Sequence, residues 1–335
     1  MPDLKPRILH VHNGDVVRIK LEESGVPGDH VVWADALHDG PLLPIDSPPE
    51  RQRAMRAASA SAAGWNEAEI LEMLERWDRD LGRWAEYDEV VLWLEHDLFD
   101  QLLLARHLAY FAGAAPARTV LSLICVGEWP GRPAFKGLGE LSPDELASLL
   151  GTRQHITPRQ LELGRRVWDA LAVGGPPAVE AVVRDEDLAP LPFMRAALHR
   201  FLEELPDVEG GLGRTERAAL EAVDAGTSDP VQLFRRVQER DDVFFIGDTS
   251  LWYAVRMLAA GSRPLLALAP PAGGPAPFGR VELTDAGREV LAGRADRVRE
   301  SGIDRWWGGL HLRGHAVPWR WDRQARRVAG AATQR

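Results

Sequence analysis

The sharpest chemical signal in this sequence is Glu95-His96-Asp97, with Asp100 and Gln101 close behind. These residues follow VVLWL, an unbroken apolar run. Ionisable groups at the end of a buried strand must reach water or meet partners, because desolvating them alone is costly. Carboxyl and imidazole groups held together are suited to general acid–base catalysis. Glu95 and Asp97 share strand parity, with His96 opposite. Asp97 or Asp100 is also fit to cap the helix that follows. Two further groups take the same form. His12-Asn13-Gly14-Asp15 closes the apolar ILHVH, where Asn13 and Gly14 suit a tight turn. Asp15 there either caps the next helix or points into a crevice as acid, base or ligand. Asp35, His38 and Asp39 follow HVVWA, and a histidine beside carboxylates has its tautomer fixed and its proton held more tightly.

These groups give Asp15, His38, Glu95, His96 and Asp97 as catalytic candidates. His12, Asn13, Gly14, Asp35, Asp39, Asp100 and Gln101 are candidates for ligand contact. Glu128 and Arg132, after a fourth apolar run, join them at the rim, the arginine being able to meet a phosphate or carboxylate bidentately. The glycine-rich dinucleotide pattern, the P-loop, HExxH and GxSxG are all missing. Ser122 and the single cysteine, Cys125, both lie inside an apolar run, so no nucleophile stands out. One cysteine also excludes an internal disulfide and a cysteine-rich zinc knuckle. Two histidines with carboxylates could hold a divalent metal. The spacing is not diagnostic, and recognition of a polar ligand with acid–base chemistry is favoured over metal chemistry.

The elements that must position these groups are strands over 8–12, 30–34, 88–95 and 119–127, separated by helical stretches. That alternation predicts an α/β fold with a Rossmann-like, mostly parallel sheet. Residues 35–87 form an insert that begins as a loop and contains two helices, one started at Ser47-Pro48-Pro49-Glu50 and one capped by Asn66. A helical region follows, with cap boxes at Ser142–Glu145 and Thr157–Gln160. Residues 214–300 read as winged-helix-like: three helices, two short strands and a last helix capped by Thr284. The expected domains are 1–140, 141–213 and 214–335, with GGLG at 210–213 as the second boundary. The tail holds Trp306, Trp307, Trp319 and Trp321, read as an apolar plug in preference to a stacking platform. The last dozen residues are expected to fray.

Of 335 residues, 45% are hydrophobic and 27% charged, which is globular composition. The net charge of −10 argues against a general nucleic-acid coat. Residues 214–335 hold 19 basic against 15 acidic side chains, and the rest 21 against 35, so the two portions differ in character. With no leader-like or membrane-length apolar stretch, the cytoplasm is the default. Expected partners are a small polar ligand and no membrane, with a homodimer left open. DNA is disfavoured: the third helix of the last module offers only Arg256, and phosphate contacts would fall to Arg235, Arg236 and Arg240.

Two stretches, HVHNGDVVRIKLEESGVPGDHVVWADALHDGP and VVLWLEHDLFDQLLLARHL, resemble bacterial domain-of-unknown-function family 1835. The pattern is a strand-end Asn-Gly-Asp and a strand closing in Glu-His-Asp-Leu-Phe-Asp-Gln, spanning residues 9–130. The C-terminal part resembles the companion region of such proteins. The resemblance implies that Asn13, Gly14, Asp15, His38, Glu95, His96, Asp97, Asp100 and Gln101 belong together; it implies no activity and no substrate. Three functions stay in play. One is hydrolase-like chemistry on a small polar or phosphorylated metabolite, nucleotides included. The others are a ligand-responsive regulator or interaction module built on the last domain, and a structural protein without chemistry.

Overall fold

Strands that are apolar on both faces sit in the middle of the sheet, with helices over them. The computed structural model describes residues 6–114, 118–133, 135–241, 243, 246–271 and 276–330. The chain divides into an N-terminal unit, 1–172 with 187–197, and a C-terminal unit, 173–186 with 198–335. In the first unit the order is β1 (Ile8–His12), α1 (Asp15–Glu23), β2 (Asp29–Val32), α2 (Pro49–Ala62), α3 (Glu67–Gly82), β3 (Glu89–Glu95), α4 (Leu98–Gly113), β4 (Val120–Val126), α5 (Pro143–Ser148), β5 (Gln154–His155) and α6 (Pro158–Asp169). The sheet order is β2-β1-β3-β4-β5. The first four strands are parallel and β5 is antiparallel to β4. This is the mostly parallel sheet with a helical insert that the apolar runs predict. β5 went unforeseen, since its two exposed residues carry no apolar pattern.

Side-chain alternation sorts the core into two layers. Ile8, Val91, Trp93 and Ile124 meet Val17 and Leu21 of α1 and Leu146 of α5. Leu9, Val11, Val90, Leu92 and Leu94 point to the other face and are also buried. α4 is buried almost all round, and α6 packs closely against it through Gly164, where a Cβ would come within 2.1 Å of the Leu108 Cβ. The helix starts follow the sequence. Ser142 with Glu145 and Thr157 with Gln160 close full capping boxes behind prolines. α2 differs: it begins at Pro49 with Pro48 before it and no side-chain cap, so Ser47 does not cap it.

β1 has β2 on one side and β3 on the other, although β2 precedes β3 in the chain. The topological switch point, where open α/β sheets bind ligands, therefore lies between the carboxyl ends of β1 and β3. Register pairs His12 with Trp93, which sets Asn13 one step short of the level of Glu95.

The C-terminal unit contains α7 (Gly175–Asp185) and then, after α8 (Met194–Leu202) has begun in the first unit, the helices α9 (Arg214–Asp224), α10 (Pro230–Gln238) and α11 (Asp248–Leu258). An antiparallel pair follows, β6 (Leu266–Leu268) with β7 (Val281–Leu283); the loop joining them falls partly outside the described residues. After α12 (Asp285–Leu291) and α13 (Arg297–Ser301) come two hairpins, β8 (Ile303–Trp307) with β9 (Leu310–Gly314) and β10 (Trp319–Asp322) with β11 (Arg327–Gly330). β11 occupies part of the tail expected to fray; 331–335 lie outside the described residues. Gly210-Gly211-Leu212-Gly213, expected as a boundary, is buried inside this unit. It wraps round the Asp207 carboxylate, which accepts from the Gly210 and Gly211 amides and pairs with Arg217 at 2.7 Å. Trp307 stacks on Phe201 with ring centres 4.5 Å apart, and Trp321 is buried. Among the described residues no helix is long and apolar enough to cross a membrane.

Candidate active site

Where β1 and β3 end, a single amide joins two carboxyl groups. Asn13 Nδ2 donates to Glu95 Oε1 at 3.1 Å and to both oxygens of Asp100, at 2.9 and 3.1 Å. β3 delivers Glu95, and the first turn of α4 delivers Asp100. Asp97 is the helix N-cap, its Oδ1 accepting from the Asp100 amide at 2.9 Å. The turn is closed twice more. The Glu95 amide donates to Asp100 Oδ1 at 3.0 Å, and Gln101 Nε2 donates to the Glu95 carbonyl at 2.7 Å. From outside this motif, the Leu138 amide donates to Glu95 Oε1 at 2.7 Å. Gly137 is the residue that permits that approach, since a Cβ there would fall 1.9 Å from Glu95 Oε2. Lys20 of α1 holds the same loop through the carbonyls of Gly139 and Leu141.

Glu95, Asp97, Asp100 and Gln101 are buried, while Asn13 and Gly14 are half-exposed and form the outer side of the cluster. Burial, with Asp97 close by, pushes the Glu95 carboxyl up to about 7 in spite of the two donors on Oε1. Asp100 is also pushed well up, by burial and then by Glu95 and Asp97. Burial and mutual repulsion oppose ionising both carboxyls together, so the protons they bind belong to the pair. Such a pair can give and take protons on a bound polar group. Burial pushes the thiol of Cys125 beside them up to about 12, which disfavours the thiolate a nucleophile needs.

No protein-family model and no curated protein matches the chain. The chemistry of the site therefore rests on its geometry.

The other candidates are placed elsewhere. Asp15 neither caps α1 nor enters the cluster: the N-cap is Gly14, and the Asp15 side chain is 71% exposed and paired with Arg18 at 3.1 Å. His96 lies edge-on to Phe193, with Nδ1 buried and without a hydrogen-bond partner. His38 sits 3.5 Å from Asp39 and edge-on to Phe99. Glu128 is exposed. Arg132 is engaged by both oxygens of Glu145 at 2.9 Å and donates to the Glu140 carbonyl, so it fastens a loop.

His12 faces the α1 side and belongs to a stack that sequence reading missed. Its ring lies parallel to His30, and His10 stacks on His30 in turn. Trp93 Nε1 donates to His10 Nδ1 at 3.0 Å, so His10 Nε2 carries the proton that goes to the Pro27 carbonyl. His30 Nε2 likewise donates to the Val26 carbonyl. Its Nδ1 is then an acceptor, and His12 Nε2 donates to it at 3.0 Å. All three rings are neutral in this scheme. Burial pushes His10 down to about 4 and lowers His12 and His30 as well. The recoverable signal was parity: His10 and His12 share a face of β1, and His30 pairs with His10 on the neighbouring strand.

Asp35 joins a different feature. A cleft of about 440 Å³, counting its open mouth, is lined by Trp33, Asp35, Arg53, Arg56, Asp78 and Arg106, among others. Arg56 grips Asp35 with two bonds and donates to the carbonyls of Ala36 and Asp39, which shapes the loop after β2. The helices of the insert thus supply three charged residues to this cleft, Arg53, Arg56 and Asp78, none of them a candidate from the sequence. Among the described residues no group of three or more histidine, cysteine or carboxylate side chains is placed to hold a metal ion.

Proposed function

We propose that this protein binds a small polar or phosphorylated metabolite at the carboxyl edge of its sheet and acts on it by acid–base, hydrolase-like chemistry. The observation that carries this is the carboxyl pair Glu95–Asp100 bridged by Asn13 at the switch point between β1 and β3. Ligand sites of open α/β sheets fall there, and a carboxyl held near neutrality is what a general acid or base requires. α1 begins beside Asn13 without a side-chain cap, which suits an anionic group on the ligand. Asn13 and Gly14 take the ligand-facing role; Asp97 and Gln101 position the pair. Kinship with family 1835 is proposed on the two strand-end motifs alone.

The test is turnover of a panel of phosphate esters, carboxylic esters and amides by the purified chain between pH 5 and 9. We expect a pH–rate profile governed by a group near 7 and a loss of about 100-fold or more in Glu95→Gln. Full activity in that variant would remove Glu95 from the chemistry.

We also propose that α9–α11 with the β6–β7 pair form a winged-helix-like module. Arg235, Arg236 and Arg280 are exposed on it. α11, with Arg256 as its one arginine, is poor in base-reading groups, so a protein contact is favoured over DNA.

A further inference from the structure

The cleft beside the end of β2 has an unbalanced charge. Three guanidinium groups, of Arg53, Arg56 and Arg106, face two carboxylates, Asp35 and Asp78. Both Asp35 oxygens are engaged by Arg56, and two further Arg56 N–H groups go to backbone carbonyls. Asp78 must serve everything else. Its Oδ1 accepts from Trp33 Nε1 at 3.0 Å, and its Oδ2 from Arg53 Nη1 at 2.9 Å. That is the one hydrogen bond Arg53 makes among the described residues, out of five N–H groups.

Arg106 is less satisfied still. Its nearest carboxylate oxygen, Asp78 Oδ1, is 3.6 Å away, beyond hydrogen-bond length. Its one hydrogen bond is a long 3.4 Å contact to His107 Nδ1. What holds the group is aromatic: the guanidinium carbon lies 3.9 Å from the Trp33 ring centre and 4.9 Å from that of Tyr110. A buried cation fixed in orientation but short of acceptors is costly when the protein alone supplies its partners. Such a planar fork matches two oxygens of one oxyanion.

We propose that this cleft binds an oxyanion, the phosphate or carboxylate group of a small molecule, on Arg53 and Arg106. Arg56 and Asp35 hold the loop that shapes the site, and Asp78 aligns Arg53. With three guanidinium groups against two carboxylates in its lining, the cleft favours an anionic occupant over a neutral or cationic one. The inference stands apart from acid–base chemistry at Glu95 and Asp100, since it uses none of those residues.

The experiment is calorimetric titration of the full chain with sodium phosphate and, separately, sodium acetate, at pH 7.5 and constant ionic strength. The chain, Arg53→Gln, Arg53→Lys and Glu95→Gln are compared. We expect saturable binding of at least one anion, weakened about tenfold or more in Arg53→Gln and unchanged in Glu95→Gln. Arg53→Lys keeps the charge beside Asp78 but loses the fork, so it weakens binding about threefold or more and serves if the glutamine variant does not fold. Phosphate alone binding assigns a phosphoryl ligand, acetate alone a carboxylate, and both an oxyanion site of either kind. No saturable binding of either anion, or equal affinity in the Arg53 variants, overturns the proposal. Lost turnover in Glu95→Gln with anion binding intact separates this site from the carboxyl pair.

Discussion

Replacing Glu95 with Gln removes a buried charge and keeps the oxygen that Asn13 and Leu138 hold. The carboxyl titrates near 4.5 when free and near 7 in the folded chain, so the two values lie about 2.5 pH units apart. At about 1.4 kcal/mol per pH unit, an ionised Glu95 costs the folded state about 3 kcal/mol. The sign follows from which state binds the proton more tightly. Here it is the folded state, so wild-type stability is fully present below pH 4.5, falls as pH rises towards 7 and levels off above. The variant lacks that fall. Its stability should match wild type near pH 4.5 and exceed it by about 3 kcal/mol at pH 8 to 9. Asp100 adds in the same direction, because its ionisation no longer opposes a neighbouring charge; the gain belongs to the pair. Since the chain has two units, the readout should be local: urea-dependent amide exchange over 89–95, corrected for intrinsic rates, at pH 4.5, 6, 7 and 8.5. A difference that stays flat across this range, or a variant weaker at every pH, would refute the desolvated carboxyl.

Other expectations follow from the same geometry. Gly137→Ala should destabilise the N-terminal unit by about 2 kcal/mol or more, since its Cβ would meet Glu95 Oε2 at 1.9 Å; an unchanged urea midpoint would show that the loop gives way freely. The histidine stack contributes stability that is present above pH 6.5 and lost as pH falls towards 4, because neutral buried rings must take up protons. His10→Gln should therefore flatten the acid limb of the unfolding curve, and an unaltered limb would count against it. Asp97→Ala removes a helix cap and should cost about 1 kcal/mol, measured by amide exchange in the first turn of α4; full protection there would contradict the capping role.

Much of the frame was legible because it is written locally. VVLWL is apolar throughout and became the middle of a central strand; Thr157-Pro158-Arg159-Gln160 became a capping box. Glu95, Asp97, Asp100 and Gln101 could be grouped because seven consecutive residues hold them. Asp15 misled because its strand-end position suggested a crevice, while Arg18 three residues on offered a local ion pair. The partners that complete the cluster lie far off in sequence. Leu138 is 43 residues from Glu95, and Asn13 is 82. Arg106 was hidden, with His107 beside it, in a helix that reads as mostly apolar.

The tight seating of Gly137 against Glu95 ties the evolutionary fates of two distant positions. A lineage that lost the need for the carboxyl would be released at both at once: residue 95 would drift towards amides or shorter side chains, and residue 137 could then acquire a methyl group. Where Glu95 is kept, position 137 should tolerate glycine alone, so change at the two positions should come in pairs.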